Sequence, residues 1–208
     1  TPGVDTDGDY TYQIGGAGCN DIAVVSVTTL PLPQATVVAD ANYCEGEDIE
    51  ITFELSGVGP FDVEYSVNNI DYNLNDITDG HAEMISPTGD AEIEIVSVTD
   101  SNPEACSNSG NTIEVEMIPT PSASLSGGGG ICETEDAELT FELTGNGPFD
   151  VVYTDGSQDY TLNGISDGHV EAVSISDNTT FSLVSVTGPA PSACAGDVSG
   201  TVNFAVNE

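Results

Sequence analysis

Apolar and polar residues alternate with a period of two along most of the chain, which is typical of half-buried β-strands. In residues 49–55, isoleucine, phenylalanine and leucine alternate with glutamate and threonine. Residues 61–67 repeat the pattern after a Gly-Val-Gly-Pro turn, and residues 113–117 repeat it again. At 93–98 the apolar positions change parity, which predicts a β-bulge or a strand buried on both faces. No stretch has helical periodicity, so the pattern predicts an all-β protein.

Turn signals separate these strands. They include Asp79-Gly80, Gly89-Asp90 and Asn163-Gly164, which favour tight turns. About seven short strands with frequent turns in each 88-residue stretch predict an immunoglobulin-like β-sandwich. The acidic residues occupy mainly the outward positions of the strands, so the core stays apolar.

The chain contains an internal repeat. Cys44 and Cys132 are 88 residues apart, as are Cys106 and Cys194. Residues 44–106 align with 132–194 without a gap, with 33 identities in 63 positions. Such self-similarity indicates two copies of one domain.

The N-terminal segment fits the end of a third copy, because Cys19 lies 87 residues before Cys106. The predicted organisation is therefore a partial repeat (1–32) and two full repeats (33–119 and 120–208). Proline-containing linkers at 30–33 and 118–121 favour a semi-rigid connection between repeats. A start in mid-domain leads us to expect further repeats upstream.

One motif in the repeat resembles a known family. The pattern runs Cys-Glu-x-Glu-Asp, then Thr-Phe-Glu-Leu-x-Gly-x-Gly-Pro-Phe-Asp-Val-x-Tyr, then Val-Ser-Val-Thr and a final cysteine. It resembles the Ig-like repeats of very large secreted surface proteins of Bacteroidetes, including the gliding-motility adhesins exported by type IX secretion. The resemblance covers the whole chain. It implies an extracellular, multi-repeat, stalk-like or filamentous protein.

The charge composition excludes several classes of partner and of enzyme. The 208 residues include no lysine or arginine and 36 aspartates and glutamates, for a formal charge of -36. Without basic residues the chain has no patch for nucleic acid or anionic membranes. It also lacks the lysine and arginine that phosphoryl-transfer and pyridoxal-phosphate enzymes use. No apolar run approaches the length of a membrane span, so we expect no membrane insertion.

The five cysteines indicate an oxidising compartment. In one pairing scheme, Cys44 bonds Cys106 and Cys132 bonds Cys194, which leaves Cys19 for an upstream partner. In the other, Cys19 bonds Cys44 and Cys106 bonds Cys132, which leaves Cys194 for a downstream one. We prefer the first scheme because domains that fold alone should be stapled within themselves. Each such loop predicts about 4 kcal/mol of stabilisation.

Three acidic groups are candidate calcium ligands, because calcium prefers carboxylate oxygens. The alternative for the first group is a hairpin turn, and for the other two a solvated start of a strand. Calcium is the cofactor that these groups indicate. The groups are Asp5, Asp7 and Asp9; Glu45, Glu47 and Asp48; and Glu133, Glu135 and Asp136.

The two histidines, His81 and His169, both lie in Asp-Gly-His-x-Glu just after a turn. A catalytic or metal role needs a partner, and Asp79 with Glu83, and Asp167 with Glu171, are within reach in sequence only. We therefore expect surface histidines in these turns. The chain also has no nucleophile motif such as Gly-x-Ser-x-Gly. It is therefore not expected to be an enzyme.

The leading functional hypothesis is a structural and interaction protein, a repeat segment of an extracellular filament or cell-surface adhesin. Its expected partners are other copies of the repeat or subunit and a surface or glycan target. The alternative is a calcium- or carbohydrate-binding accessory module of a larger secreted enzyme. The absence of tryptophan counts against carbohydrate binding.

Overall fold

The computed structural model describes the backbone of residues 7–16 and 19–207, and the side chains of residues 7–11 and 22–207. All regular structure in these residues is β-strand, which confirms the all-β prediction. Among the residues described, no helix is long and apolar enough to cross a bilayer.

The N-terminal segment contains one antiparallel strand pair, β1 (Gly8–Gly16) and β2 (Cys19–Val27). Nine strands follow in the first full repeat: β3 (Gln34–Val38), β4 (Asn42–Cys44), β5 (Ile49–Ser56), β6 (Phe61–Val67), β7 (Ile70–Ile77), β8 (His81–Ile85), β9 (Ala91–Thr99), β10 (Ser107–Asn108) and β11 (Thr112–Ile118). Nine more lie in the second: β12 (Ser122–Gly127), β13 (Gly129–Cys132), β14 (Ala137–Thr144), β15 (Phe149–Thr154), β16 (Asp159–Ile165), β17 (His169–Val173), β18 (Thr179–Thr187), β19 (Asp197–Ser199) and β20 (Thr201–Asn207).

Each full repeat contributes two sheets. The first repeat has a three-stranded sheet of order β3-β5-β8 and a larger sheet of order β4-β11-β9-β6-β7, with β10 beside β9. The second has sheets of order β17-β14-β12-β19 and β13-β20-β18-β15-β16. Apart from β10, which pairs with β9, and β19, which pairs with β12, the strands have the same order in the two repeats, as their shared sequence pattern predicts.

By compactness the chain divides into two units. Unit 1 comprises Thr1–Val38, Ile51–Glu83 and Glu92–Ile113, and unit 2 comprises Ala39–Glu50, Met84–Ala91 and Glu114–Glu208. The repeat boundaries at 33–119 and 120–208 stay a prediction from the sequence.

The core of the second repeat lies between its two sheets. Leu139 and Phe141 of β14 pack with Val151 and Tyr153 of β15 and with Phe181 of β18, and all five are at most 2% exposed. The rings of Phe141 and Tyr153 meet edge to face at 5.4 Å. This packing of two sheets over alternating apolar side chains is that of an Ig-like β-sandwich.

The parity change predicted at 93–98 is a β-bulge. On β9, Ser97 faces Glu64 while Ile95 faces Tyr65, so Val96 has no partner on β6 and is 40% exposed. The extra residue lets Ile95 and Val98 both point inward, which explains why the apolar positions change parity. The bulge recurs in the second repeat at Val184.

The turn predicted at Asn163-Gly164 is wrong, because both residues lie inside strand β16. Across from them the register shifts between Phe149 and Val151, which marks a second bulge. The amide of Gly164 donates to the Asp150 carboxylate at 2.8 Å. A glycine with a φ of 65° therefore serves the bulge rather than a chain reversal.

Candidate functional site

The candidate site is the junction between the two full repeats, residues 118–122. On its first side, β4 runs parallel to β11, with Cys44 opposite Ile118. The amide of Glu45 donates to the Ile118 carbonyl at 2.9 Å, and the Thr120 amide donates to the Glu45 carboxylate at 3.2 Å. Cys44 is therefore held where the last strand of the first full repeat ends.

The other side of the junction is the start of β12. The amide of Asp197 donates to the Pro121 carbonyl at 3.0 Å, and β19 runs parallel to β12 with Asp197 opposite Ser122. The Gly188 amide donates to the Cys194 carbonyl at 2.9 Å. These contacts place Cys194, which is 2% exposed, where the second full repeat begins.

A disulfide joins the two sides. Cys44 is bonded to Cys194, with their Cα atoms 5.6 Å apart and a separation of 150 positions in sequence. A shallow cleft is lined by the segments that precede each cysteine, Asp40–Asn42 on one side and Pro191 and Ser192 on the other. The junction is thus closed covalently as well as by backbone hydrogen bonds.

This bond corrects the pairing predicted from the sequence. Neither Cys44–Cys106 nor Cys132–Cys194 forms, and both Cys106 and Cys132 are free thiols. Cys19 has its side chain outside the described residues, so its predicted upstream bond stays a prediction.

The physical reason is the length of one strand. Cys132 lies opposite Asn207 of β20, next to the end of β20 that pairs with the start of β18. The Cys194 carbonyl accepts from Gly188, the residue that follows the end of β18. Nine residues of β-strand separate the two ends by roughly 25 Å. A disulfide needs Cα atoms within about 7 Å, so cysteines at opposite ends of a strand do not meet.

A count of the strands in each repeat is the sequence signal that indicates the correct cysteine pairing. In each repeat the chain runs from one end of the β-sandwich to the other an odd number of times before it reaches the first cysteine. It runs the length of the sandwich once more after the last cysteine. The two therefore lie at opposite ends of a repeat. The first cysteine of one repeat and the last cysteine of the next lie on the two sides of a single linker.

Sequence reasoning also missed Tyr43, which precedes the bonded cysteine. Its side chain is 6% exposed, and its hydroxyl donates to the Gly89 carbonyl at 2.8 Å. Burial raises the pKa of this phenol, despite the hydrogen bond to Gly89. Tyr43 anchors the short strand β4 and so helps to position Cys44.

The first acidic group is only partly described. Asp5 lies outside the described residues. The Asp7 carboxylate accepts hydrogen bonds from the Thr29 amide and hydroxyl, which lower the pKa of Asp7. Asp9 accepts one from the Ser26 hydroxyl. These contacts tie β1 to the far end of β2, as a hairpin requires.

The second and third acidic groups have separate local partners. Asp48 accepts from Ser86 and Asp136 from Ser174, in equivalent positions of the two repeats. Glu135 accepts from the Cys132 amide at 3.0 Å.

Glu47 and Glu133 are exposed. Within the described part of the chain, no three acidic, histidine or cysteine side chains converge on a point that suits a metal ion. Calcium binding by these groups stays a prediction.

The histidines occupy equivalent positions on β8 and β17. His81 lies against the Phe53 ring at 6.3 Å, and its Nε2 is 2.7 Å from the Glu83 carboxylate. His169 contacts Glu171 in the same way at 3.4 Å. The preceding Asp167 accepts from the Leu143 amide, so it supports the strand rather than the histidine.

The fold and the disulfide-closed junction define tandem immunoglobulin-like domains. The chain is similar in fold to the I-band fragment I67–I69 of titin, with a TM-score of 0.52, 10% identity, and coverage of 97% of this chain and 75% of the titin fragment. No family model matches the sequence.

Two curated relatives are nucleoporins. The chain is 28% identical to nucleoporin pom152 of Schizosaccharomyces pombe over 149 residues, which are 64% of this chain and 11% of that protein. It is 26% identical to POM152 of Saccharomyces cerevisiae over 183 residues, 80% of this chain and 13% of that protein. The chain therefore spans about an eighth of the length of these relatives.

Proposed function

We propose that the chain is a structural repeat segment of an extracellular filament or cell-surface adhesin, of the kind that Bacteroidetes secrete, and that it catalyses no reaction. The observation that carries the proposal is the Cys44–Cys194 bond across the junction. A bond there ties successive domains together, which suits a protein whose task is to hold its shape.

The bond also supports the proposed location. Disulfides persist in secreted proteins and at cell surfaces and are rare in reducing compartments. The Cys194 sulfur is buried at the junction, which restricts the access of reducing thiols to it. An exterior location therefore agrees with the covalent design of the junction.

The surface charge supports the same setting. The 36 acidic residues face no lysine or arginine. In the described residues the acidic side chains lie mostly on exposed strand positions, as at Glu50, Glu54, Glu92 and Glu94. Repulsion between them is reduced by salt, because the Debye length falls to about 8 Å at physiological ionic strength. Trypsin-like proteases have no cleavage site in the chain.

The proposed partners are other copies of the repeat and a surface or glycan target. Strand β7 ends a sheet of the first full repeat, and its residues Ile70 and Tyr72 are 60% and 41% exposed. Sheet edges with exposed apolar side chains pair readily with further strands. The edge is therefore the surface that we propose for contact between copies.

Immunolabelling of intact cells tests the proposal. We expect an antibody against the chain to label unpermeabilised cells that produce it, on stalks or fibres that electron microscopy resolves. Labelling only after permeabilisation would refute an extracellular filament. Labelling confined to nuclear pores would instead favour the role that the names of the nucleoporin relatives suggest.

Calcium binding is a separate proposal for the acidic groups. Thermal unfolding in NaCl and in CaCl2 at matched ionic strength separates screening from binding. A saturable rise of Tm in CaCl2 alone, abolished by a chelator, would support a calcium site. Identical unfolding curves in NaCl and CaCl2 would rule out a calcium site.

A further inference from the structure

The free thiol of Cys132 lies in the same structural setting as the bonded Cys44. Strand β13 runs parallel to β20 with Cys132 opposite Asn207, as β4 runs parallel to β11 with Cys44 opposite Ile118. The same turn follows both: the carbonyl of Cys132 accepts from the Glu135 amide at 2.9 Å, and that of Cys44 accepts from Glu47 at 3.0 Å. Cys132 is exposed and unbonded.

Cys106 is likewise the counterpart of the bonded Cys194. Its carbonyl accepts from the Asp100 amide at 3.1 Å, as that of Cys194 accepts from Gly188 at 2.9 Å. The residue before each cysteine has an unusual positive φ, 47° at Ala105 and 44° at Ala193. The loops that present the two cysteines therefore share this carbonyl hydrogen bond and this left-handed residue, although only the second contains a cis peptide, Ala190-Pro191.

These matches define two kinds of cysteine. Cys44 and Cys132 are head cysteines, placed where the last strand of a repeat ends. Cys106 and Cys194 are tail cysteines, placed where the first strand of a repeat begins. The one bond in the described residues joins a head cysteine to the tail cysteine of the following repeat.

We infer that this is a rule of the array: every head cysteine is bonded to the tail cysteine of the next repeat. Cys132 is then the attachment point for a repeat that follows residue 208, and Cys106 is the attachment point for the head cysteine of a preceding repeat. A repeat joins its two neighbours through two different cysteines and carries no disulfide of its own.

The positions of the free thiols favour neighbours outside the chain as partners. The Asn108 side chain donates to the Pro33 carbonyl at 3.1 Å, so the loop of Cys106 lies where β3 begins. Cys132 lies beside the end of β20, the last strand. Cys132 thus lies at the end of its repeat where a following repeat would be attached, and Cys106 at the end where a preceding repeat would be attached.

Bond formation requires an oxidant, and oxidised glutathione supplies one. The thiolate of the head cysteine attacks glutathione disulfide, and one reduced glutathione leaves. The tail thiolate then attacks the mixed disulfide, and a second reduced glutathione leaves. Two cysteine thiols are oxidised, one glutathione disulfide is reduced, and the two thiol protons pass to the two released glutathiones. The inference rests on the proposed function only for the oxidising compartment.

The test extends the full chain by one more copy of residues 120–208, fused after Glu208. The protein is refolded with a reduced and oxidised glutathione mixture, alkylated, and digested at acidic pH with pepsin, since trypsin has no site. Non-reducing mass spectrometry then maps the disulfides. The Cys132→Ser variant of the extended chain is the matched control.

We expect two bonds: Cys44–Cys194, and Cys132 with the cysteine of the added copy that corresponds to Cys194. The Cys132→Ser variant should lose only the second bond and leave the added tail cysteine alkylated. A Cys132 that stays free, or that bonds Cys106 or any other cysteine, overturns the rule, as does loss of Cys44–Cys194. None of these outcomes depends on where the protein is located, so failure here is distinguishable from failure of the labelling experiment.

Discussion

The two full repeats are nearly the same domain, yet their equivalent cysteines have different chemistry. The ring pair in the core is conserved in position, with Phe53–Tyr65 at 5.2 Å and Phe141–Tyr153 at 5.4 Å. Cys44 is nevertheless bonded, whereas Cys132 is exposed and free. The difference teaches that two cysteines in equivalent backbone settings need not share a bonding state, so the domain that carries a head cysteine does not by itself decide its pairing.

A second difference lies in one hairpin. Between β6 and β7 the central residues Asn68 and Asn69 have φ values of 50° and 63°, as in a type I′ turn. At the equivalent place between β15 and β16, only Gly156 of the central Gly156-Ser157 pair has a positive φ, as in type II′. Two turn types thus fit one gap-free alignment, because both reverse the chain with two residues.

The largest expected effect tests whether the cores of the two repeats are equivalent. Phe53→Ala and Phe141→Ala should each lower the free energy of unfolding of their repeat by about 3–5 kcal/mol, because both rings are fully buried. Urea unfolding followed by circular dichroism measures the loss. A loss below about 1 kcal/mol in one repeat only would show that the cores are not equivalent.

The next effect tests the difference between the head cysteines. Cys44→Ser should lower the free energy of unfolding by roughly 2–5 kcal/mol, because it opens a 150-residue loop. Cys132→Ser removes an exposed thiol without a bond and should change it by less than about 0.5 kcal/mol. Urea unfolding without reductant compares the two. Equal losses would contradict the assigned pairing.

A smaller effect is expected at the aspartates before the two histidines. Asp79 and Asp167 each accept a backbone amide at 2.8 Å, from Leu55 and Leu143. Replacing either by alanine leaves a strand amide unpaired and should cost about 1.5–3 kcal/mol. The asparagine variants retain an acceptor and are the controls. If alanine and asparagine variants unfold at the same urea concentration, the hydrogen bond is not the cause.

The hairpin turns should respond in opposite ways. Gly156→Ala places a Cβ at a φ of 86° and should cost roughly 1–2 kcal/mol. Asn69→Gly keeps a compatible residue at a φ of 63° and should be neutral or slightly stabilising. Thermal unfolding of the two variants measures the contrast. A neutral Gly156→Ala variant would disprove the type II′ assignment.

The smallest effect appears at alkaline pH. Burial, aided by the negative charge of Glu171, raises the pKa of Tyr153 to about 12. An unfolded tyrosine ionises near pH 10, so between about pH 10 and 12 the unfolded state binds fewer protons than the folded one. Stability should therefore fall as pH rises through this range. The Tyr153→Phe variant should show a shallower fall in urea midpoints, and identical slopes would contradict the assignment.

The fold was predictable from the sequence because its determinants are local. Alternation at 49–55 and the parity change at 93–98 each report which side chains face the core, and the structure has both the strand and the bulge. The turn at Asn163-Gly164 was wrong because the same dipeptide also suits a bulge.

The site was less predictable because it depends on long-range geometry. The pairing of Cys44 with Cys194 requires knowing at which end of a sandwich each cysteine lies. Spacing fitted two pairing schemes, and the expectation that each domain is stapled within itself favoured bonds within a repeat. The role of Tyr43 was missed for the same reason, since its acceptor Gly89 is distant in sequence.

The position of the disulfide also decides how the chain responds to force. When the molecule is pulled from its two ends, the shortest covalent path passes from Cys44 directly to Cys194, which are 150 positions apart, and bypasses the residues between them. At up to about 3.6 Å per extended residue, reduction of this single bond would release roughly 500 Å of hidden length. One sulfur–sulfur bond therefore limits how far the chain can lengthen under force.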